Sequence, residues 1–330
     1  MEGMHRPSLE ALAAKAEAHF HRIRGSGDQQ QALDAAAECA RIYAALGNPG
    51  KESDFLYDVG KCQVLTGDYA AAFQTSEVLL ASPRTHEDPV FMAQALLVRA
   101  AALRNQSQHV LALETARQAL AVLAHVRDGD RALAEAYQGI IACLVEADQA
   151  HDAWAIHDKL SATLAPIDDP LQAGQGYWTL GNLAFATGHE AEGAAYHQLA
   201  AKQLQQINDI HLWARFNNAS ADVQLQAGVA NQRTHDNIVR AQLAYGIIGG
   251  SAVEFFGLSL TQARWHVANG ELEEASSVLE KALADAQVGG APVDASVHRM
   301  WSQILLALGR TDEADRENAR AARIERPRQS

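Results

Sequence analysis

YWTLGNLAFATGHEAEGAAYHQLA, residues 177–200, holds one complete helix-turn-helix unit. Apolar residues run through Leu180-Gly181 to Phe185, and Thr187-Gly188 then breaks the helix. A second helix follows, with Gly193 and Ala200 where two helices must come close. Small residues at such points let helix axes approach to about 8–10 Å.

Outward from Gly188, the same breaker returns at Gly27, Gly67, Ser107, Asp148, Gly228, Gly270 and Gly309, at spacings of 40, 40, 41, 40, 40, 42 and 39 residues. A period held this closely along a chain is the signature of stacked supersecondary units. Five residues after each pivot stand Ala32, Ala72, Ala112, Ala153, Gly193, Ala275 and Ala314. Twelve after it stand Cys39, Leu79, Ala119, Leu160, Ala200, Ala282 and Ala321. The sixth repeat departs, with Arg233 and Arg240 in these slots and Ala241 one place late. A one-residue insertion within Val229–Gln232 accounts for the shift. Pro49, Pro83, Pro89, Pro166, Pro170 and Pro292 fall in the joints, and Pro7 and Pro327 flank the array. Interior prolines would break helices at a cost of about 3 kcal/mol. The pattern predicts sixteen helices, over 8–25, 28–46, 50–66, 68–81, 88–104, 107–124, 130–147, 149–163, 169–187, 189–206, 209–227, 231–247, 250–269, 271–286, 292–308 and 310–325. The predicted fold is an all-α, right-handed α-solenoid of about eight helix pairs over 1–330. Residues 1–48 and 291–330 form the capping units, and 49–290 the central ones.

Composition agrees. Hydrophobic residues make up 48% but aromatics only 6%, with many alanines, which favours close helix contacts over a bulky sheet core. Three cysteines, Cys39, Cys62 and Cys143, have no metal-ligand spacing, and no apolar leader follows Met1, so the expected setting is a reduced cytoplasm. No apolar run approaches the 20 or so residues that span a bilayer. A net charge of −13 opposes direct nucleic-acid binding. The arginines at 316, 320, 323, 326 and 328 read as dipole partners at a solvated helix end.

Leu56, Val59, Gly60, Gly67, Asp68, Tyr69 and Ala72, with Tyr177, Leu180, Gly181, Gly188 and Ala200, make the units resemble tetratricopeptide repeats, lengthened from 34 residues to about 40. Units of this length resemble the helical sensor regions of bacterial helix-turn-helix transcription regulators. Residues 176–200, Leu212-Trp213-Ala214-Arg215-Phe216-Asn217-Asn218-Ala219-Ser220 and Leu260-Thr261-Gln262-Ala263-Arg264-Trp265 carry that similarity. Residues 1–50 read as an ordinary repeat instead of a DNA-binding domain. The resemblance therefore implies either a sensor separated from its DNA-binding part or a stand-alone adaptor that binds a protein partner constitutively.

The resemblance also implies a ligand on the concave face, lined by the first helix of each unit. Positions ten and six before each pivot should point there, one turn apart. From the fourth unit on they read Gln138 and Ala142, Trp178 and Asn182, Asn218 and Asp222, Leu260 and Arg264, Arg299 and Gln303, with Asn217 as a substitute for Asn218 in the irregular unit. Amides and opposed charges suit an extended peptide or protein segment, whose backbone offers a donor and an acceptor per residue. The plainer reading is a solvated groove in which Arg264 pairs with Asp222. Trp154, Trp213, Trp265 and Trp301 read as interlayer packing.

No catalytic, metal or cofactor site is expected. His151 and His157, and His189 and His197, lack the i, i+4 spacing of a helical zinc site. Cys62 and Cys143 occupy the same repeat slot, which marks them as small packing residues. Gly249-Gly250 and Gly289-Gly290 sit at joints with no preceding strand, unlike phosphate loops. The sequence thus predicts a non-enzymatic binding module, and a homodimer is plausible.

Overall fold

The computed structural model describes residues 6–24, 28–126, 129–205, 207 and 209–325, with Arg6 described in its backbone alone. Eighteen helices occur among them. In chain order they are α1 (Arg6–Arg24), α2 (Gln29–Leu46), α3 (Pro49–Thr66), α4 (Tyr69–Leu80), α5 (Arg84–Glu87), α6 (Pro89–Asn105), α7 (His109–Leu123), α8 (Asp130–Glu146), α9 (Ala150–Trp154), α10 (His157–Leu164), α11 (Pro170–Ala186), α12 (Glu190–Leu204), α13 (Ile210–Gln226), α14 (Gln232–Ile248), α15 (Ala252–Ala268), α16 (Leu272–Gly289), α17 (Ala295–Ala307) and α18 (Thr311–Glu325). They are grouped in two compact units, Met1–Leu183 and Ala184–Ser330, with the boundary inside α11. No described helix is long and apolar enough to cross a membrane.

The sixteen predicted helices are present, with two local differences. A single turn, α5, fills the joint after Pro83, where the Thr85 hydroxyl donates to the carbonyls of Leu80 (3.1 Å) and Ser82 (2.7 Å). The helix predicted over 149–163 is broken into α9 and α10. His157 Nδ1 donates to the Trp154 carbonyl at 2.6 Å, taking an acceptor that an unbroken helix would use, and its ring stacks on Trp154 at 3.8 Å. A side chain that bonds the local backbone in this way competes with the helix.

The pivots are the residues that turn the chain. Gly67, Ser107, Asp148, Gly188, Gly228, Gly270 and Gly309 all have positive φ, between 59° and 84°. Gly27 lies outside the described residues. Each ends a helix in the left-handed conformation, and the next residue's N–H caps an open carbonyl, as Asp68 does at Gln63 (2.9 Å) and His189 at Ala184 (2.8 Å). Ser107 and Asp148 hold φ of 61° and 59° despite their side chains, a cost of roughly 1–2 kcal/mol for an ordinary L-residue and less for Asp. The helices of a repeat then start cleanly: Asp68 and Asp88 accept from backbone N–H groups as N-caps, and Pro49 and Pro89 stand at first helical positions, where a missing N–H costs nothing.

Every described packing slot is buried. Ala72, Ala112, Ala153, Ala275 and Ala314 are 0% exposed, and none of the slots twelve after the pivot exceeds 4%. A Cβ on Gly193 would lie 2.8 Å from the Phe185 ring, so only glycine lets α12 settle there. In the first unit, a Cβ on Gly176 would meet Leu164 at 2.4 Å. The sixth repeat carries the insertion its sequence implies. Asn231 caps α14, accepting from Arg233 N (3.0 Å) and Thr234 N (3.2 Å), and Thr234 and Ala241, one place late, are the buried slot residues at 0% exposure. The three cysteines are buried free thiols, and burial raises the pKa of each, that of Cys39 to about 11. Thiols held protonated in this way are packing groups and poor nucleophiles.

Candidate functional site

The first helix of each repeat carries the row expected to meet a ligand. In the first unit charged pairs link these helices. Lys61 on α3 reaches Glu135 on α8 at 3.7 Å and lies over the Tyr57 ring at 5.3 Å, while Arg24 meets Asp58 at 3.6 Å. Burial, then the neighbouring Glu135, pushes the Tyr57 phenol well above its ordinary pKa, so it is neutral. Gln138 on α8 and Trp178 and Asn182 on α11 are all half-buried. At the start of the same two helices, Arg131 Nε donates to Gln172 Oε1 (3.0 Å), and Gln172 Nε2 donates back to the Arg131 carbonyl (2.6 Å).

In the second unit three of the expected residues come together. Arg264 Nη1 on α15 forms an ion pair with Asp222 Oδ1 on α13, and the other Asp222 oxygen accepts from Gln226 Nε2 at 2.6 Å. Both residues keep about a quarter to a third of their side-chain surface, at 30% for Arg264 and 27% for Asp222. Asn218, one turn before Asp222, is half-buried and lies beside Gly257, where a Cβ would stand 3.7 Å from its Nδ2. The Asn218 Oδ1 has no hydrogen-bond partner among the described residues. The plainer expectation of an Asp222–Arg264 pair is therefore present in the structure, with an amide next to it.

The remaining expected residues lie elsewhere. Arg299 on α17 is exposed and forms an ion pair with Glu325 on α18, and Gln303 is exposed. Asn217 is 0% exposed and points away from Asn218's row, into a cleft beside α12 and α14. Adjacent residues on a helix differ by about 100° in direction, so one place of register moves the side chain to another face. Of the tryptophans, Trp301 is buried and donates from Nε1 to Ser276 Oγ (3.1 Å), and Trp265 packs on the second unit's core. Trp213 lines the same cleft as Asn217.

That cleft holds residues the repeat analysis passed over. His197, Asn217, Gln224 and Asn237 are all buried polar groups on its walls. Burial alone lowers the pKa of His197 to about 4, leaving a neutral imidazole between Phe185 (5.3 Å) and Phe216 (6.0 Å). A signal for it was available in the repeat register. Where α8 carries Tyr137, Ile140 and Leu144, and α11 carries Tyr177, Leu180 and Ala184, α13 has Asn217, Ser220 and Gln224. Among the described residues no three of His, Cys, Asp or Glu are grouped as metal ligands would be.

No protein-family model matches the sequence, and no curated protein matches it significantly. Solved structures do. A Rap protein complexed with competence and sporulation factor superposes with a TM-score of 0.61 at 13% identity, over 96% of this chain and 98% of that one. Aspartyl phosphate phosphatase F from Bacillus subtilis superposes at 0.58 and 12% identity, over 91% of this chain and 76% of that one. A tetratricopeptide repeat protein from Parabacteroides merdae reaches 0.47 at 14% identity, over 91% and 99%. At these identities the similarity concerns the fold, which is all-α and built from tetratricopeptide-like antiparallel helix pairs.

Proposed function

We propose that the chain is a non-catalytic binding module that takes an extended peptide or protein segment against the first-helix faces of its repeats. The observation that carries this reading is the group on α13 and α15. The half-buried Asn218 amide, whose carbonyl makes no hydrogen bond among the described residues, stands one turn from the paired charges of Asp222 and Arg264. A peptide backbone presents an N–H and a C=O at each residue, and a carboxamide answers both. Trp178 and Asn182 repeat the combination of amide and half-buried surface in the first unit. The fold is shared with a Rap protein whose structure was solved in complex with competence and sporulation factor, which supports a binding role for this architecture.

Within that role we favour a sensor, the ligand-responsive part of a bacterial transcription regulator, over a constitutive adaptor. Repeats that pack chiefly on their neighbours can sum small rotations along an array. Native mass spectrometry of the freshly isolated protein should reveal a retained peptide. Its affinity should fall roughly tenfold in Asn182→Ala and in Arg264→Ala, about 1.4 kcal/mol each, with folded helix content unchanged. Full binding in both variants rejects the site. Small-angle scattering that is identical with and without that peptide favours the adaptor over the sensor.

A further inference from the structure

The cleft between α12, α13 and α14 lies within the second unit and has a volume of about 250 Å³. Drug-sized sites run to about 300–1,000 Å³, so this one suits a smaller metabolite. Its floor is polar where a repeat protein ordinarily packs apolar side chains. Asn217 and Ser220 are 0% exposed and Gln224 is 2% exposed, at the register positions that are Tyr177, Leu180 and Ala184 in the preceding repeat. Gln224 is satisfied, since its Oε1 accepts from the Thr234 hydroxyl at 2.8 Å. Asn217 is half satisfied. Its Nδ2 donates to the Trp213 carbonyl at 2.8 Å, and its Oδ1 is buried with no partner among the described residues. A buried acceptor left open at the base of a cleft is a place for an incoming donor.

The rim supplies the complementary charge. Arg233 and Arg240 stand about two helical turns apart on α14, both exposed and both lining the cleft. Each is steadied by a neutral oxygen. With the Gln198 amide turned so that its oxygen faces the guanidinium, Gln198 Oε1 accepts from Arg233 Nη1 and Nη2 at 2.6 and 2.9 Å, and Asn237 Oδ1 accepts from Arg240 Nη1 at 3.1 Å. Neither makes an ion pair with a carboxylate among the described residues, whereas Arg84, Arg104, Arg131, Arg264 and Arg310 all do. Two guanidinium groups held by amide oxygens, with one carboxylate on the same wall and neither closed into an ion pair with it, leave donors for an anion. Asp236 lies between them in sequence, lines the same cleft and accepts from Gln232 Nε2 at 2.8 Å, so one carboxylate is at hand for a cationic group. The Trp213 ring completes the wall with an apolar surface.

We propose that this cleft is a second binding site, for a small zwitterion of amino-acid or dipeptide size. Its carboxylate sits at Arg233 and Arg240, its N–H groups face Asn217 Oδ1 and Asp236, and its side chain lies on Trp213. The site is separate from the first-helix face, on which Asn218, Asp222 and Arg264 lie.

The test is calorimetric titration of the full chain with each of the common amino acids and a set of dipeptides, beside sodium acetate, inorganic phosphate and ammonium chloride. At least one amino acid or dipeptide should bind. Arg233→Gln and Arg240→Gln should each weaken it roughly tenfold, the effect of losing one charged hydrogen bond. Arg233 and its partner Gln198 are both exposed, so Arg233→Gln should leave the melting temperature of the free protein unmoved, while Arg240→Gln takes a donor from buried Asn237 and should lower it slightly; Arg264→Ala should leave this affinity unchanged. No binding of any amino acid or dipeptide up to about 10 mM, a free energy near −2.7 kcal/mol, overturns the proposal. So does equal binding of acetate or phosphate, and so does undiminished affinity in both arginine variants. If Arg264→Ala removes binding and the arginine variants do not, the ligand belongs to the first-helix face instead.

Discussion

His197 shows how a single residue ties the second unit to pH. It is 5% exposed, and burial alone lowers its pKa from 6.5 to about 4. A base whose folded pKa lies below its unfolded value favours the unfolded chain once protons become available. Its contribution is therefore complete above pH 6.5 and is lost as pH falls toward 4. Between pH 7 and pH 5 the loss amounts to about 2 kcal/mol. Urea denaturation at the two pH values should show a drop of that order in the native protein, and a smaller one in His197→Gln. Equal drops in both would place the pH sensitivity elsewhere. The residue was plain in the sequence, but its burial was not. His197 takes the register position held by Ala36, Ala116 and Leu279 in other repeats, and only that comparison hints at an interior imidazole.

At the scale of the helix, spacing and shape decide more than chemistry. The ring of Phe185 occupies the space where a Gly193 side chain would project, with 2.8 Å to an ideal Cβ. Gly193→Ala should destabilise the protein by about 1–3 kcal/mol, as overpacking does, even though alanine is the better helix former. A rise in the urea midpoint would show that the ring yields freely. The sequence made this glycine legible because small residues recur in its slot. It also made the insertion before α14 legible, through Ala241 standing one place late. The break between α9 and α10 was not legible, because it depends on where the His157 ring turns. Nothing in the spacing of Trp154 and His157 says that the imidazole will take the Trp154 carbonyl.

Taken over its whole length, the molecule is strongly acidic. Phosphate backbones release counterions only to clustered, unpaired cations, and the net charge of −13 opposes such an encounter at long range. Titration of the protein into labelled duplex DNA at about 0.15 M salt should show no saturable binding, where the Debye length is about 8 Å. Saturable binding would mean that a local basic surface outweighs the net charge.

The sequence by itself determined the repeat, because helix breakers and small packing residues act locally and recur wherever the same pair of helices must form. Seven described pivots with positive φ and a buried set of slots follow from that pattern alone. The tertiary structure decided which polar side chains meet. Asp222 finds Arg264 from 42 residues away, Arg299 turns to Glu325, and Asn217 faces inward while Asn218 keeps to the row. Pairings of that kind depend on the rotation of each helix about its own axis. A repeat period fixes where helices begin and end, but the rotation of each is settled only when the neighbouring helices pack against it.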